Sequence, residues 1–190
     1  MLKGICKSCE PCQLVARPEP LVPITPTLMP DGPWQFCSCD LPCPLPDGRS
    51  VIVIIDYYSR FFEGRLLKST KTEKGFEFVD TTFRRLGYPQ ALRTDNGPQF
   101  ISIEFKLYMG TRGIQLVSTT PLWPQANGLV ERTNRSILKV LKIACVEKKI
   151  PQVKFRKFLV AYRSTPRSGT GCPPFALMFG REIRTKISQL

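Results

Sequence analysis

From Trp34 onward the apolar and polar residues recur with regular periods, and before it they do not. WQFCSCDL (34–41) has the alternation of a strand, and SVIVIIDYY (50–58) is a β-branched run of the kind buried on both faces. The stretch PLPDG (44–48) between them carries the turn residues of a hairpin, which makes the pair antiparallel. RFFEGRLL (60–67) reads as a third strand. Thr70 to Leu86 changes to a helical period, with Phe76, Val79, Phe83 and Leu86 on one face. PQALRTD (89–95) is a short strand, about Ser102 to Arg112 a helix, and GIQLVST (113–119) a fifth strand. A long helix is predicted from about Asn127 to Lys148, and another from about Val153 to Arg163. Three antiparallel strands followed by alternating helices and strands predict an α/β fold, a mixed five-stranded sheet flanked by helices.

The region before Trp34 has another character. Ten of the chain's 18 prolines fall between Pro11 and Pro46, so residues 16–33 are expected to form an extended, polyproline-like linker. This linker divides the chain into a cysteine-bearing segment at 1–15 and a folded unit at 34–190. Cys6, Cys9 and Cys12 are spaced C-x2-C-x2-C, which can hold zinc, but a structural site needs four ligands and nothing nearby supplies the fourth. Cys37, Cys39 and Cys43 lie in or beside a strand and read as small buried apolar residues. No run reaches the ~18 apolar residues of a membrane span, and no signal-peptide core stands at the N-terminus. No membrane partner is therefore expected, and the eight cysteines are expected to be reduced thiols.

The chain has no histidine, which excludes Ser-His-Asp and Cys-His catalysis and every histidine-containing zinc motif within it. Chemistry must rest on carboxylates, Cys, Lys, Tyr or a bound metal. Of the net charge of +13, residues 131–190 hold +11, from 14 basic and 3 acidic side chains. That concentration points to a polyanion.

Acidic residues at strand ends then become the candidates for metal chemistry. Asp40 lies on the first strand, Asp95 ends the fourth and Glu131 opens the long helix, with 54 and 35 residues between successive members. In a β-β-β-α-β-α-β sheet the first and fourth strands are neighbours, so their aspartates can converge and supply oxygen ligands to Mg²⁺ or Mn²⁺. Helix caps and surface charges account for the same residues equally simply, and spacing alone does not separate the two readings.

The words around these residues do. SVIVIIDYYSRFFE (50–63), LRTDNGPQF (92–100) and TTPLWPQANGLVERTNRSI (119–137) closely resemble the catalytic core of gypsy-type long-terminal-repeat retrotransposon integrases. AYRSTPRSGTGCPPFALMFGREIRT (161–185) resembles the downstream segment of the same family. The resemblance implies a ribonuclease-H-like fold and a three-carboxylate site made of Asp40, Asp95 and Glu131. It implies two-metal transesterification, in which water or a DNA 3′-hydroxyl attacks a phosphodiester in line while two Mg²⁺ or Mn²⁺ ions stabilise the attacking and leaving oxygens. It further implies DNA as partner, self-association, a nuclear location and no small-molecule substrate. Asp56, in the second-strand word IDYYS, is structural in that family, and Asp47, Asp80 and Glu63 read as turn or surface residues.

The long helix supports a DNA partner on its own terms. At about 100° per residue, Lys142 falls about 20°, Arg135 about 40° and Lys139 about 80° from Glu131, with Val130, Ile137, Leu138, Leu141, Ala144 and Cys145 on the adjoining apolar arc. A basic stripe leading away from a carboxylate suits phosphate contacts. Asn127 is a candidate N-cap, and the resemblance makes Trp123, Gln125 and Asn127 candidates for DNA contact. Asn96, Gly97 and Gln99 are expected to shape the turn that aims Asp95.

Some residues depart from the family pattern. Only the cysteine half of its zinc module is matched, by Cys9 and Cys12, which leaves at most a partial zinc site there. Pro42-Cys43-Pro44 stands where a Gly-Pro pair is usual, and Arg167 and Leu116 stand where histidines are common. These differences suit a truncated or decaying copy. The alternative expectation is thus a catalytically silent, integrase-derived module that binds DNA or self-associates.

Overall fold

The computed structural model describes residues 30–41, 45, 47–67, 72–95, 97–118 and 128–185. Cys9, Cys12, the 1–15 segment and most of the proposed 16–33 linker lie outside these residues.

The strand β2 (Ser50–Asp56) is buried along its whole length, as its unbroken SVIVIID run requires of a strand covered on both faces. Its alternation sorts the core. Ile52 and Ile54 join Phe78, Val79, Phe83, Leu92, Phe100 and Phe105 on one face of the sheet. Val51, Val53 and Ile55 join Val130, Ile137, Leu141, Phe155 and Tyr162 on the other. Each of these fully buried side chains contributes about 1.5–3 kcal/mol by leaving water.

Around β2 stand β1 (Phe36–Asp40), β3 (Phe62–Leu67), β4 (Ala91–Thr94) and β5 (Gln115–Ser118), in the order β3-β2-β1-β4-β5. β1–β2 and β2–β3 are antiparallel, while β1–β4 and β4–β5 are parallel. The helices are α1 (Thr72–Leu86), α2 (Pro98–Ile101), α3 (Ile103–Thr111), α4 (Gly128–Val146), α5 (Pro151–Ser164) and α6 (Pro174–Phe179). Aromatic residues of α1 to α3 fill one side of the sheet, and residues of α4 and α5 fill the other.

Two helical features differ from the sequence expectation. The helix predicted over about Ser102 to Arg112 is preceded by a separate turn, α2, because Ser102 is extended (φ −61°, ψ 149°). Ser102 ends α2 and caps α3, its hydroxyl accepting from the Phe105 N–H at 3.2 Å. α6, too short to show a period, packs Phe175 and Met178 against the first core. α5 is pinned to β3 by Arg163, whose guanidinium donates to the Phe62 carbonyl at 2.7 Å and pairs with Glu63 at 3.0 Å. Gly64 permits this approach, since a Cβ there would lie 2.8 Å from the Phe155 ring.

Candidate active site

The parallel ladder from Phe36↔Ala91 to Cys39↔Thr94 carries the two strands side by side to their carboxyl ends. Asp40 and Asp95 follow at the next step, so two aspartates 55 residues apart in sequence become lateral neighbours. Parallel pairing sets this placement directly, because residues in register stand beside one another. Asp95 is aimed by its own turn: the Gly97 N–H donates to Asp95 Oδ1 at 3.0 Å. Gly97 is needed for the closeness of that turn, since a Cβ would sit 2.4 Å from Gln99 Nε2 and 2.9 Å from Asp95 Oδ1. Asn96, the remaining member of this turn, is outside the described residues.

Helix α4 reaches the first of the pair, Asp40, through one side chain. Its buried arc holds Val130, Ile137, Leu141 and Ala144, and Leu138 and Cys145 are half-buried, as the period predicted. Asn134 also lies on that arc, only 6% exposed, and its amide Nδ2 donates to Asp40 Oδ2. Its Oδ1 is buried without a hydrogen-bond partner among the described residues. The sequence reading missed Asn134, although the signal was there: it replaces an apolar residue in the i, i+4, i+7, i+11 series Val130, Asn134, Ile137, Leu141.

Burial pushes the Asp40 carboxyl above its ordinary range, and the neighbouring charge of Asp95 pushes it further. Hydrogen bonds from the Leu41 backbone and Asn134 act the other way, and Glu131 adds a smaller upward push. Glu131 is therefore close enough for Asp40 to feel its charge, but it is exposed on the first turn of α4. Among the described residues no three His, Cys, Asp or Glu side chains enclose one point. The structure sets Asp40 and Asp95 beside one another at adjacent strand ends, while Glu131 is exposed on the first turn of α4. The two neighbouring carboxylates, Asp40 and Asp95, are hard oxygen ligands of the kind that suits Mg²⁺ or Mn²⁺.

Asp56 is placed quite differently. It is fully buried at the far end of β2 and accepts from the backbone N–H groups of Trp34 (3.1 Å) and Ser59 (2.9 Å) and from the Ser59 hydroxyl (2.5 Å). Burial pushes the thiols of Cys37 and Cys39 well up, which keeps them neutral. Arg135, Lys139 and Lys142 are exposed and, with Leu138, Ile143 and Val146, line an open groove of about 630 Å³ along α4. Gln125 and Asn127 lie outside the described residues, as does Trp123. No helix among the described residues is long and apolar enough to cross a membrane.

Comparison with known proteins identifies the family and the fold. Residues 30–124, half of the chain, match the Integrase core domain family. A Pro-Pol polyprotein of feline foamy virus is 31% identical over 187 residues, covering 94% of this chain and 16% of that protein. An uncharacterized protein of Caenorhabditis elegans is 29% identical over 190 residues, covering 100% of this chain and 15% of its own length. The chain spans about a sixth of the length of these curated relatives. Among solved structures, the simian T-cell lymphotropic virus intasome in complex with PP2A regulatory subunit B56 gamma contains a chain that superposes with a TM-score of 0.76 at 20% identity, over 96% of this chain and 67% of that one. The HTLV-2 integrase catalytic core domain in complex with magnesium superposes with a TM-score of 0.66 at 20% identity, over 78% of this chain and 98% of that one. The sheet order and these superpositions make the fold ribonuclease-H-like, and the match over residues 30–124 shows that the chain belongs to the integrase core domain family.

Proposed function

We propose that this chain is the core of a retrotransposon-type DNA integrase, a polynucleotidyl transferase that processes DNA 3′ ends and joins them to a second DNA. The observation that carries this reading is the pair of aspartates, Asp40 and Asp95, set side by side at the ends of two parallel strands. Asp40, Asp95 and Glu131 would hold divalent cations, Mg²⁺ or Mn²⁺, with Asn134 orienting Asp40. When bound, such ions supply Lewis acidity to the attacking and leaving oxygens of phosphoryl transfer. The chain's own contribution is positional. The β1–β4 register fixes the spacing of the aspartates, the Gly97 turn aims one, and Asn134 aims the other. Arg135, Lys139 and Lys142 lie on the helix edge that carries Glu131 and are suited to hold backbone phosphates beside it.

The magnesium named with the HTLV-2 core and the dimeric and trimeric forms in which that core is described support a metal-dependent, self-associating protein. The test is a Mg²⁺- or Mn²⁺-dependent disintegration assay on branched DNA, comparing the chain with Asp40→Asn, Asp95→Ala and Glu131→Gln. Activity in the parent and its loss in each folded variant is expected; activity that survives Glu131→Gln would overturn the assignment. A second reading, a silent DNA-binding or self-associating module, draws on the exposed position of Glu131. It predicts DNA retention with no difference between the parent and Asp95→Ala.

A further inference from the structure

A second group of cations lies on a different edge of α4. Arg60, Arg132 and Arg167 line one cavity of about 310 Å³, together with the hydroxyl residues Thr133, Ser136 and Ser168. Around the helix axis Arg132, Ser136 and Thr133 stand about 100–200° from Glu131, against about 20–80° for Arg135, Lys139 and Lys142. No carboxylate is among the described residues that line this cavity.

Arg60 and Arg167 are held in ways that ordinary surface packing does not require. Arg60 sits at the tip between β2 and β3 with φ +65°, where glycine is the conformationally easiest residue. Its backbone N–H donates to the Asp56 carbonyl at 3.1 Å, which locks the tip and fixes where the side chain starts. The neighbouring Asp56 carboxylate is already occupied by Trp34 and Ser59. The Arg167 guanidinium lies 3.6 Å over the Tyr162 ring and donates from Nη2 to the Tyr162 carbonyl at 2.9 Å. Its Nε is buried and has no acceptor among the described residues. A planar guanidinium fixed on an aromatic platform with an unmet donor is prepared for an oxyanion. Burial disfavours the charge of Arg60, while Tyr162, Asp56 and Tyr57 favour it and Arg132, the least of these influences, opposes it.

We propose that Arg60, Arg132 and Arg167 form a phosphate-binding pocket for the nucleic-acid backbone, separate from the Asp40–Asp95 pair. The proposal rests on the integrase reading only for the identity of the anion, a phosphodiester of a DNA strand. Arg132 directly follows Glu131, so a strand lying across the aspartates has a second anchoring point one residue along the same helix. The pocket then fixes the strand's direction, which a row of exposed lysines alone would not do.

The test is duplex DNA binding by fluorescence anisotropy over a KCl series in EDTA, using the full chain and Arg60→Gly, Arg132→Gln and Arg167→Gln. Arg60→Gly relieves the left-handed backbone, so its fold is not at risk, and urea midpoints check the other two. Each variant is expected to bind about 3–10-fold more weakly. The slope of log K against log salt should become shallower by about 0.9 for each phosphate that a variant no longer neutralises. A parallel thermal-shift titration with inorganic phosphate should stabilise the parent and not Arg60→Gly. Unchanged DNA affinity and slope in all three variants would overturn the proposal. Phosphate protection with an unchanged DNA slope would assign the pocket to a free anion and overturn it too. Turnover is not needed for these readouts. A chain inactive on branched DNA that shows the slope change keeps the pocket and loses the catalytic reading; the reverse result keeps catalysis and loses the pocket.

Discussion

Replacing Asp56 separates a structural carboxylate from the ones proposed to be catalytic. Asp56 is fully buried and accepts from Trp34, Ser59 and the Ser59 hydroxyl, with a longer contact of 3.4 Å from the Tyr58 N–H. Asp56→Ala leaves the Trp34 and Ser59 N–H groups and one hydroxyl buried without acceptors, each costing about 1–3 kcal/mol. Allowing for rotation of the hydroxyl to another partner, the loss should be about 3–5 kcal/mol. At an m-value of about 2 kcal/mol/M, the urea midpoint should fall by about 1.5–2.5 M. Asp56→Asn keeps one oxygen, so Trp34 keeps its acceptor while the Ser59 N–H meets an NH₂ group, and the loss should be about 1–3 kcal/mol. Urea unfolding followed by tryptophan fluorescence measures both, and Trp34, which hangs on Asp56, reports the change directly. The folded fraction of Asp56→Asn should retain disintegration activity per molecule. A midpoint shift below about 0.5 M for Asp56→Ala (about 1 kcal/mol at that m-value), or an inactive but stable Asp56→Asn, would refute this account.

Three other outcomes follow from the site. Gly97→Ala should lower strand transfer about 100-fold, because its Cβ falls 2.9 Å from Asp95 Oδ1 and displaces it, while thermal stability changes by less than about 1 kcal/mol. An active Gly97→Ala would show that the turn does not aim Asp95. Asn134→Ala removes a hydrogen bond that holds the Asp40 carboxyl down, so its titration, followed by carboxyl ¹³C NMR, should move upward and activity should fall about 10–100-fold. A titration that stays in place would remove Asn134 from this role. In metal-free buffer Asp40→Asn should be more stable than the parent near neutral pH. The folded pKa of Asp40 is raised, so its ionisation costs stability above that pKa; the cost is relieved as pH falls through it, and the two proteins should converge in acid. Equal melting temperatures at neutral pH would contradict the buried, repelled state of this carboxyl.

The sheet was legible because its strands differ sharply from its helices. The β-branched run Val51–Ile55 can only be a strand covered on both faces, and PLPDG marks the hairpin beside it. The two aspartates were legible through position at strand ends and became convincing only through the surrounding words. α2 and α6, with four and six residues, are too short for periodicity to show. Asn134 was hidden because a polar residue in an apolar stripe is visible in sequence, whereas the partner that justifies it, Asp40, lies 94 residues away. The arginine cavity was hidden for the same reason: Arg60, Arg132 and Arg167 come from a strand turn, a helix and a loop, and only the packing of α4 and α5 on the sheet unites them.

The parallel pairing of β1 with β4 also sets when the site can exist. Between Asp40 and Asp95 the chain must lay down three strands and a helix, and the unfolded chain holds the two charges far apart. Closing a loop of that length is entropically costly, and long-range pairings of this type form slowly. No partly folded fragment lacking the β1–β4 ladder contains a paired carboxylate site. Any cation affinity of the pair should therefore appear in one step with the completed sheet, so that assembly of the core itself acts as the gate on the proposed chemistry.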